Sequence, residues 1–275
     1  MIKLALAQIE IQPGHPAKNA EKMLARIEEA KRNQTDIIIF PEMSIPGYLL
    51  GDTWEQSAFL EDCMYYGQKI IESSAGICIM FGNVGVDWQK KNNDGRVRKY
   101  NAFFIACNGK LVQNKTMPYP FVIKTLLPNY REFDDTRYFF SLEKLAAERR
   151  QPVEELIAPV ELEIRGQKVR IGCLLCEDGW SDDYQLSPME ILQQQQVDVF
   201  INLSASPYTL GKNDKRHRVF GQQAEKFHTP IVYVNNTGIQ NNGKTIYTFD
   251  GSSTVYNHDG KIIASCQPYE EALTF

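Results

Sequence analysis

Three separated segments of this chain end an apolar run in a residue able to do chemistry. In VRIGCLLCEDGW, Cys176 closes a strand-like run and is followed at once by Glu177, Asp178 and Gly179. A thiol on such a strand-to-turn corner is presented at a sheet rim, with the next backbone N–H groups aimed into the same space. Taken alone, the segment fits a buried cysteine at a strand end equally well. A thiol with an ordinary pKa of ~8.5 is only a few per cent thiolate at neutral pH and needs a helper. His15, His217, His228 and His258 all lie outside strand-end motifs, so a Cys–His pair is disfavoured. A carboxylate fits better. In IIIFPEMSIPGY, Glu42 ends a fully apolar run and is bracketed by Pro41 and Pro46-Gly47, which stiffen the turn. It is either a cap for the next segment or a functional acid whose pKa burial would raise toward the range of a general base. The third segment, VIKTLLPNYREFDDTRYF, places Lys124 among Val122, Ile123, Leu126 and Leu127. Such a lysine usually snorkels to the surface. If buried it needs an anionic partner, which a Glu/Cys site would supply, and it could then stabilise an oxyanion.

Positioning three strand ends requires a particular alternation of elements. The β-like runs are KLALAQIEI, DIIIF, GICIMFGNV, NAFFIAC, VRIGCLLC, DVFINLS, PIVYVNN, STVYN and KIIAS. Ala20, Met23, Leu24 and Ile27 recur at helical spacing, and further helices are expected over 54–71, 188–196 and 214–227. Asp94-Gly95, Asn108-Gly109, Asn242-Gly243, Asp250-Gly251 and Asp259-Gly260 favour hairpin turns. Antiparallel ribbons mixed with helix–strand units predict a mixed α/β sheet system, not a purely parallel one. A weak echo, helix then Asp then apolar strand, links residues 20–42 with 188–207 and puts several polar strand ends on one rim.

Composition narrows the classes of function. The chain has 275 residues, 43% hydrophobic and 23% charged, with net charge -4. That is a globular profile with no basic face for nucleic acid. No apolar run approaches the ~20 residues of a membrane span, and the opening run carries Gln8 and Glu10, so it reads as a strand, not a signal peptide. A cytoplasmic location is the expectation. Six cysteines, Cys63, Cys78, Cys107, Cys173, Cys176 and Cys266, are sparse in this length and are read as reduced thiols. The CxxC formed by Cys173 and Cys176 lacks a second ligand pair, and residues three apart on a strand face opposite ways, so metal and disulfide roles are disfavoured. No linker interrupts residues 1–275, which read as one domain. The apolar ending ALTF resembles half a strand and suggests a polypeptide that continues.

Together and in this order, FPEMSIPGY, KTLLPNY and LLCEDGW resemble the nitrilase or carbon–nitrogen hydrolase family, over essentially the whole chain. That family uses a Glu, a Lys and a Cys from three strand ends, which implies Glu42 as base, Lys124 as oxyanion stabiliser and Cys176 as nucleophile. It also implies a four-layer α-β-β-α sandwich, a homo-oligomer, and no metal or organic cofactor. More narrowly, LPNYREFDDTRYF, CEDGW, NLSASPYTLGK and FDGSS look like the glutaminase domain of glutamine-dependent NAD synthetases. By that likeness Tyr130, Phe133, Glu177, Ser206 and Lys212 would line a glutamine pocket. The ammonia released would pass to a synthetase domain or subunit, whose ATP-binding loop these residues lack.

Some departures stand out. Asp135 replaces the family's usual Glu, leaving a second carboxylate without a role. The stretch KLVQNKTMPYPFVI before Lys124 is longer than expected, and NTGIQNNGKTIYTFDG differs from the usual pattern. Two other readings remain: a stand-alone amidase or nitrilase-like hydrolase of another small amide, and a scaffold subunit without catalysis.

Overall fold

The computed structural model describes every residue except Met1, Glu132, Asn242, Lys244 and Thr245, and only the backbone of Asp182. The first half of the chain runs β1 (Leu4–Gln8), α1 (Pro16–Arg32), β2 (Ile37–Ile39), α2 (Ser57–Glu72), β3 (Cys78–Lys91), β4 (Val97–Cys107), β5 (Lys110–Leu111), β6 (Val122–Ile123), α3 (Asp135–Tyr138) and α4 (Leu142–Arg149). The second half runs β7 (Val160–Ile164), β8 (Gln167–Leu175), α5 (Pro188–Gln194), β9 (Val199–Ser204), α6 (Lys212–Phe227) and β10 (Ile231–Asn235). It continues with β11 (Thr237–Asn241), β12 (Ile246–Asp250), β13 (Thr254–Tyr256), β14 (Ile262–Ser265) and β15 (Ala272–Thr274).

Two mixed sheets result. One has the order β15-β1-β2-β3-β4-β5 with β6 on β4, the other β14-β13-β10-β9-β8-β7; β11 and β12 form a separate ribbon. Strand side chains alternate between faces, and both faces here are apolar. Leu6, Ile37, Ile39 and Met80 meet Ile171, Leu175, Ile201 and Val232 in the core between the sheets. The alternate residues Ala5, Ala7, Ile38 and Ile79 pack outward against Met23 and Ile27 of α1 and Ile70 of α2. On the opposite side Leu174, Phe200 and Ile231 pack under Met189 and Leu192 of α5 and Phe220 and Ala224 of α6. This is the expected α-β-β-α sandwich. Burial on both faces is why its central strands read as continuous apolar runs.

The hairpin turns fall as expected at Asp94-Gly95, Asn108-Gly109 and Asp259-Gly260, each with its glycine at positive φ. Asp250-Gly251 is different: it carries the chain out of the ribbon toward β13 of another sheet. Gly251 is needed there because a Cβ would sit 2.3 Å from the buried Gln8 amide. Asn242 lies outside the described residues. The first strand stops at Gln8, short of the run to Ile11, and Glu10 makes only an isolated bridge to Thr237. The helix expected over 54–71 is split into a 3-10 turn, Gly51–Glu55, and α2. The short elements α3 and β6 have too little apolar periodicity to stand out in the sequence, whereas the alternating VELEI of β7 carried a strand signal that the sequence reading passed over.

The cysteine reading needs one correction. Cys78 and Cys107 sit directly opposite each other on β3 and β4, with Cα atoms 4.4 Å apart, and are joined by a disulfide. Both lie in apolar runs, and only the register of the pair reveals that they face. Cys63, Cys173, Cys176 and Cys266 are free and buried. The long stretch before Lys124 is packed down, with Met117 and Phe121 in the core and the Tyr119 hydroxyl donating to Asp87 Oδ2 at 2.6 Å. No helix among the described residues is long and apolar enough to cross a membrane.

Gly82 on β3 illustrates how tightly the site is built into this frame. A Cβ there would lie 2.3 Å from the Met43 nitrogen and 2.6 Å from the Glu42 Cα. Gly82→Ala therefore has to push the Glu42 turn away. It is expected to cost about 1–3 kcal/mol of stability, as overpacked sites do, and to reduce activity by more than the lost folded fraction; thermal melts alongside turnover check both.

Candidate active site

The three predicted residues converge at the rim where both sheets end. Glu42 follows β2 by three residues. Its turn is fixed by the Gly82 N–H donating to the Pro41 carbonyl and the Ser44 N–H donating to the Gly82 carbonyl, and Met43 takes φ 49°. Lys124 directly follows β6, and its backbone N–H donates to the Asn101 carbonyl on β4 at 2.9 Å. Both side chains are fully buried. The Lys124 ammonium has three donors and three acceptors: Glu42 Oε1 at 2.9 Å, the Tyr48 hydroxyl at 2.9 Å and Asp135 Oδ2 at 3.1 Å. The Tyr48 hydroxyl in turn donates to the Asp135 carboxylate at 2.7 Å.

Glu42 is held from both sheets. Its Oε1 also accepts from Asn101 Nδ2 at 2.8 Å, and its Oε2 accepts from the Ala205 N–H at 2.9 Å, beyond the end of β9. The sequence echo between 20–42 and 188–207 thus has a physical counterpart: the ends of β2 and β9 meet at this carboxylate.

Cys176 comes from the second sheet. It follows β8 and opens a one-turn 3-10 helix, Cys176–Gly179. Its φ is 42°, rare for a residue with a Cβ. Such backbone strain persists only where the surroundings impose it, and it gathers at functional sites. Here the Cys176 carbonyl accepts from Asn202 Nδ2, and the Asp178 carboxylate accepts from the Leu175 N–H within the same corner. A Cβ at Gly179 would overlap the Asn202 amide at 2.5 Å, so the corner is packed close against β9.

The charges set one another. Burial raises the Glu42 carboxyl above its ordinary value against the lowering pull of Lys124, and the same balance raises Asp135. Burial opposes the Lys124 charge, but Asp135 and Glu42 outweigh it and hold the ammonium well above its usual pKa. The Cys176 thiol is pushed up to about 12, first by burial and then by the Glu42 charge, with Lys124 acting the other way. At rest Cys176 is therefore a neutral thiol near the Glu42 carboxyl, not a preformed thiolate. Asp178 is pushed up to about 7 by burial, although the Leu126 and Leu175 N–H groups stabilise its charge.

The predicted pocket residues are only partly assembled. Glu177 accepts from the Tyr130 hydroxyl at 2.9 Å and the Tyr184 hydroxyl at 2.8 Å. Phe133 packs edge-on against both Tyr48 and Tyr130. Tyr130 is 48% exposed, so this group forms an outer wall. Lys212 opens α6, close enough for its charge to act on the Cys176 thiol. Ser206 lies next to Ala205, but its backbone is engaged with the Asn235 amide through both its N–H and its carbonyl. Sequence reasoning missed Tyr48, Asn101 and Asp178, and left Asp135 without a role. Asn101, a polar residue at the head of the apolar run NAFFIAC and in the middle of β4, and Tyr48, inside the Glu42 motif, carried a usable signal.

Comparisons with known proteins bear on this arrangement. The carbon–nitrogen hydrolase family profile matches residues 3–275. The glutamine-dependent NAD(+) synthetase of Synechocystis sp. is 31% identical over 99% of this chain and 45% of its own length. That of Acinetobacter baylyi is 30% identical over 99% of this chain and 43% of its own. The chain thus spans less than half of the curated relatives it matches. A solved glutamine-dependent NAD+ synthetase from Acinetobacter baumannii superposes with TM-score 0.78 at 30% identity, covering 99% of this chain and 44% of that one. An amidase from Nesterenkonia sp. shares the fold, with TM-score 0.75 at 16% identity over 99% of this chain and 88% of its own.

The charge balance around the thiol can be read directly. Glu42→Gln removes a neighbouring anion that raises the Cys176 pKa, so the thiolate should form at lower pH than in wild type while turnover is lost. Thiolate ultraviolet absorbance against pH, with Cys176→Ala as the blank, checks this; an unchanged or higher midpoint contradicts it.

Proposed function

This chain belongs to the carbon–nitrogen hydrolase family and is an enzyme, and from that premise we propose that it hydrolyses the side-chain amide of glutamine, using Cys176, Glu42 and Lys124, to supply ammonia to an NAD synthetase activity. The observation that carries the chemistry is the buried Lys124 ammonium on Glu42, at the rim where the strained Cys176 corner also ends. The identity of the relatives supports glutamine as substrate.

The amide carbonyl enters beside Cys176. Because the thiol is neutral at rest, Glu42 takes its proton as sulfur attacks the amide carbon. As Glu42 takes the thiol proton it loses its charge, so the Lys124 N–H it accepted can turn to the carbonyl oxygen, which gains charge and is held by the Glu177 backbone N–H as well. Glu42 passes its proton to the departing nitrogen, and ammonia leaves a thioester on Cys176. Glu42 then takes a proton from water, hydroxide equivalent adds to the thioester carbonyl, and glutamate departs as the thiol is restored. Raised by burial, Glu42 is a stronger base than an exposed glutamate.

Asp135 holds Lys124 through a second ion pair, at 3.1 Å, and keeps the ammonium charged throughout. The buried Glu177 carboxylate suits the α-ammonium of glutamine, with Tyr130 and Phe133 beside the aliphatic stem and the Lys212 charge acting near Cys176. Residues 1–275 act as one hydrolase domain in this reading. The synthetase that takes up the ammonia is another part of the polypeptide or a separate subunit.

Cys176→Ala should abolish ammonia release from glutamine. Lys124→Ala should reduce it by at least two orders of magnitude, since one oxyanion donor is worth about 3 kcal/mol. The same change leaves two buried carboxylates without their cation, so a large drop in melting temperature should accompany it. Coupled ammonia assays with glutamine, asparagine and ω-amides check substrate choice; preference for another amide favours a stand-alone amidase. Glu42 must be ionised to act, and its pKa lies above the ordinary carboxylate value. Accordingly kcat/KM should fall as pH drops through a midpoint above that value, measured as a pH–rate profile.

A further inference from the structure

Asp178 stands two residues after Cys176, and its carboxylate joins two segments that are otherwise far apart in the chain. Oδ2 accepts from the Leu175 N–H at 3.0 Å, inside the corner that presents the thiol. Oδ1 accepts from the N–H groups of Thr125 at 3.1 Å and Leu126 at 2.8 Å, the two residues after Lys124. The side chain is buried, so these N–H groups have no water to turn to.

The geometry on either side gives this bridge its meaning. Lys124 is fixed before its Cα by β6 pairing with β4 and by its own N–H on the Asn101 carbonyl. Both anchors belong to the first sheet. After its Cα the chain leaves the sheet, and the first partners it meets are the Asp178 oxygens. Cys176 belongs to the second sheet, through β8. One carboxylate therefore sets the distance between the lysine backbone and the cysteine backbone across the sandwich. Three backbone N–H groups depend on this one side chain, and the bridge is strongest above a pH of about 7, where the buried carboxyl carries its charge.

We propose that Asp178 is a positioning residue, which holds the Lys124 segment in register with the Cys176 corner so that ammonium and thiol share one reacting carbonyl. It touches no substrate and acts through the two residues it joins. The proposal rests on the reading of Lys124 and Cys176 as the catalytic pair.

Asp178→Asn keeps the shape but has one acceptor oxygen. Its NH2 must face either the Leu175 N–H or the Thr125 and Leu126 pair, so one half of the bridge is lost. With glutamine, kcat should fall by about 10- to 100-fold, the cost of a small misplacement, while KM stays within about threefold. Alkylation of Cys176 by iodoacetamide at mildly alkaline pH, followed by peptide mass spectrometry, reads the same bridge without hydrolysis. As Lys124 drifts from the thiol its lowering influence weakens, and alkylation should slow by about tenfold. Should the Asn variant fail to fold, Asp178→Ser removes both halves of the bridge with a smaller side chain and takes the same measurements. An alkylation rate within about twofold of wild type, in a variant that melts as wild type does, overturns the proposal. If wild type releases no ammonia from glutamine yet alkylation slows as expected, only the substrate reading falls.

Discussion

The structure turns on one buried ammonium. Lys124 sits with two carboxylates and a phenol around it, each within hydrogen-bond distance of its three donors. A charge so placed persists because its donors meet acceptors, two of them carboxylates, that offset the cost of leaving water. The requirement propagates outward. Glu42 must reach from the end of β2, Tyr48 from the turn after it, and Asp135 from the first turn of α3. The Tyr48 loop is itself tethered by the ribbon, where Gln240 Oε1 accepts from the N–H groups of Tyr48 and Leu49.

That constraint explains features that look like defects elsewhere. Gly82 is bare because the Glu42 turn lies against it, and Cys176 is bent to positive φ because the β8 strand must end in a corner facing the other sheet. Each is a local cost carried by the two-sided core. Leu6, Ile39 and Met80 oppose Ile171, Leu175 and Ile201 there, and the interior is stiff enough to hold strand ends in place.

The electrostatics follow from the same crowding. Burial, and after it the Glu42 charge, raise the Cys176 thiol against the pull of Lys124, so the thiol keeps its proton at rest. A histidine partner would make the resting ion pair familiar from other thiol enzymes. Under the proposed mechanism a buried glutamate leaves the thiol neutral until a carbonyl is present, and a neutral thiol is less open to oxidation and alkylation.

How much of this was legible in the sequence depends on range. The apolar runs disclosed the central strands because both faces are buried, and the alternation with helices disclosed a mixed sheet system; the four-layer sandwich was implied only by the family resemblance. Glu42, Lys124 and Cys176 each had a bland reading of its own, as a cap, a snorkelling lysine and a core cysteine; they stood out because the three segments, in this order, resemble one family's motifs. What the sequence left open were matters of pairing. Asp135 was set aside for its short side chain, yet α3 brings its backbone near enough that a short carboxylate suffices. Cys78 and Cys107 passed as core hydrophobes, because their facing depends on the register of β3 against β4. Asp178 was only one of three residues in a turn until the Thr125 and Leu126 N–H groups arrived from the other sheet. Residue type and local pattern determine which groups can do chemistry. Only the tertiary structure decides which charges share a hydrogen bond, and thus which protonation states they hold, because Coulomb and desolvation energies depend on distances that no local pattern encodes.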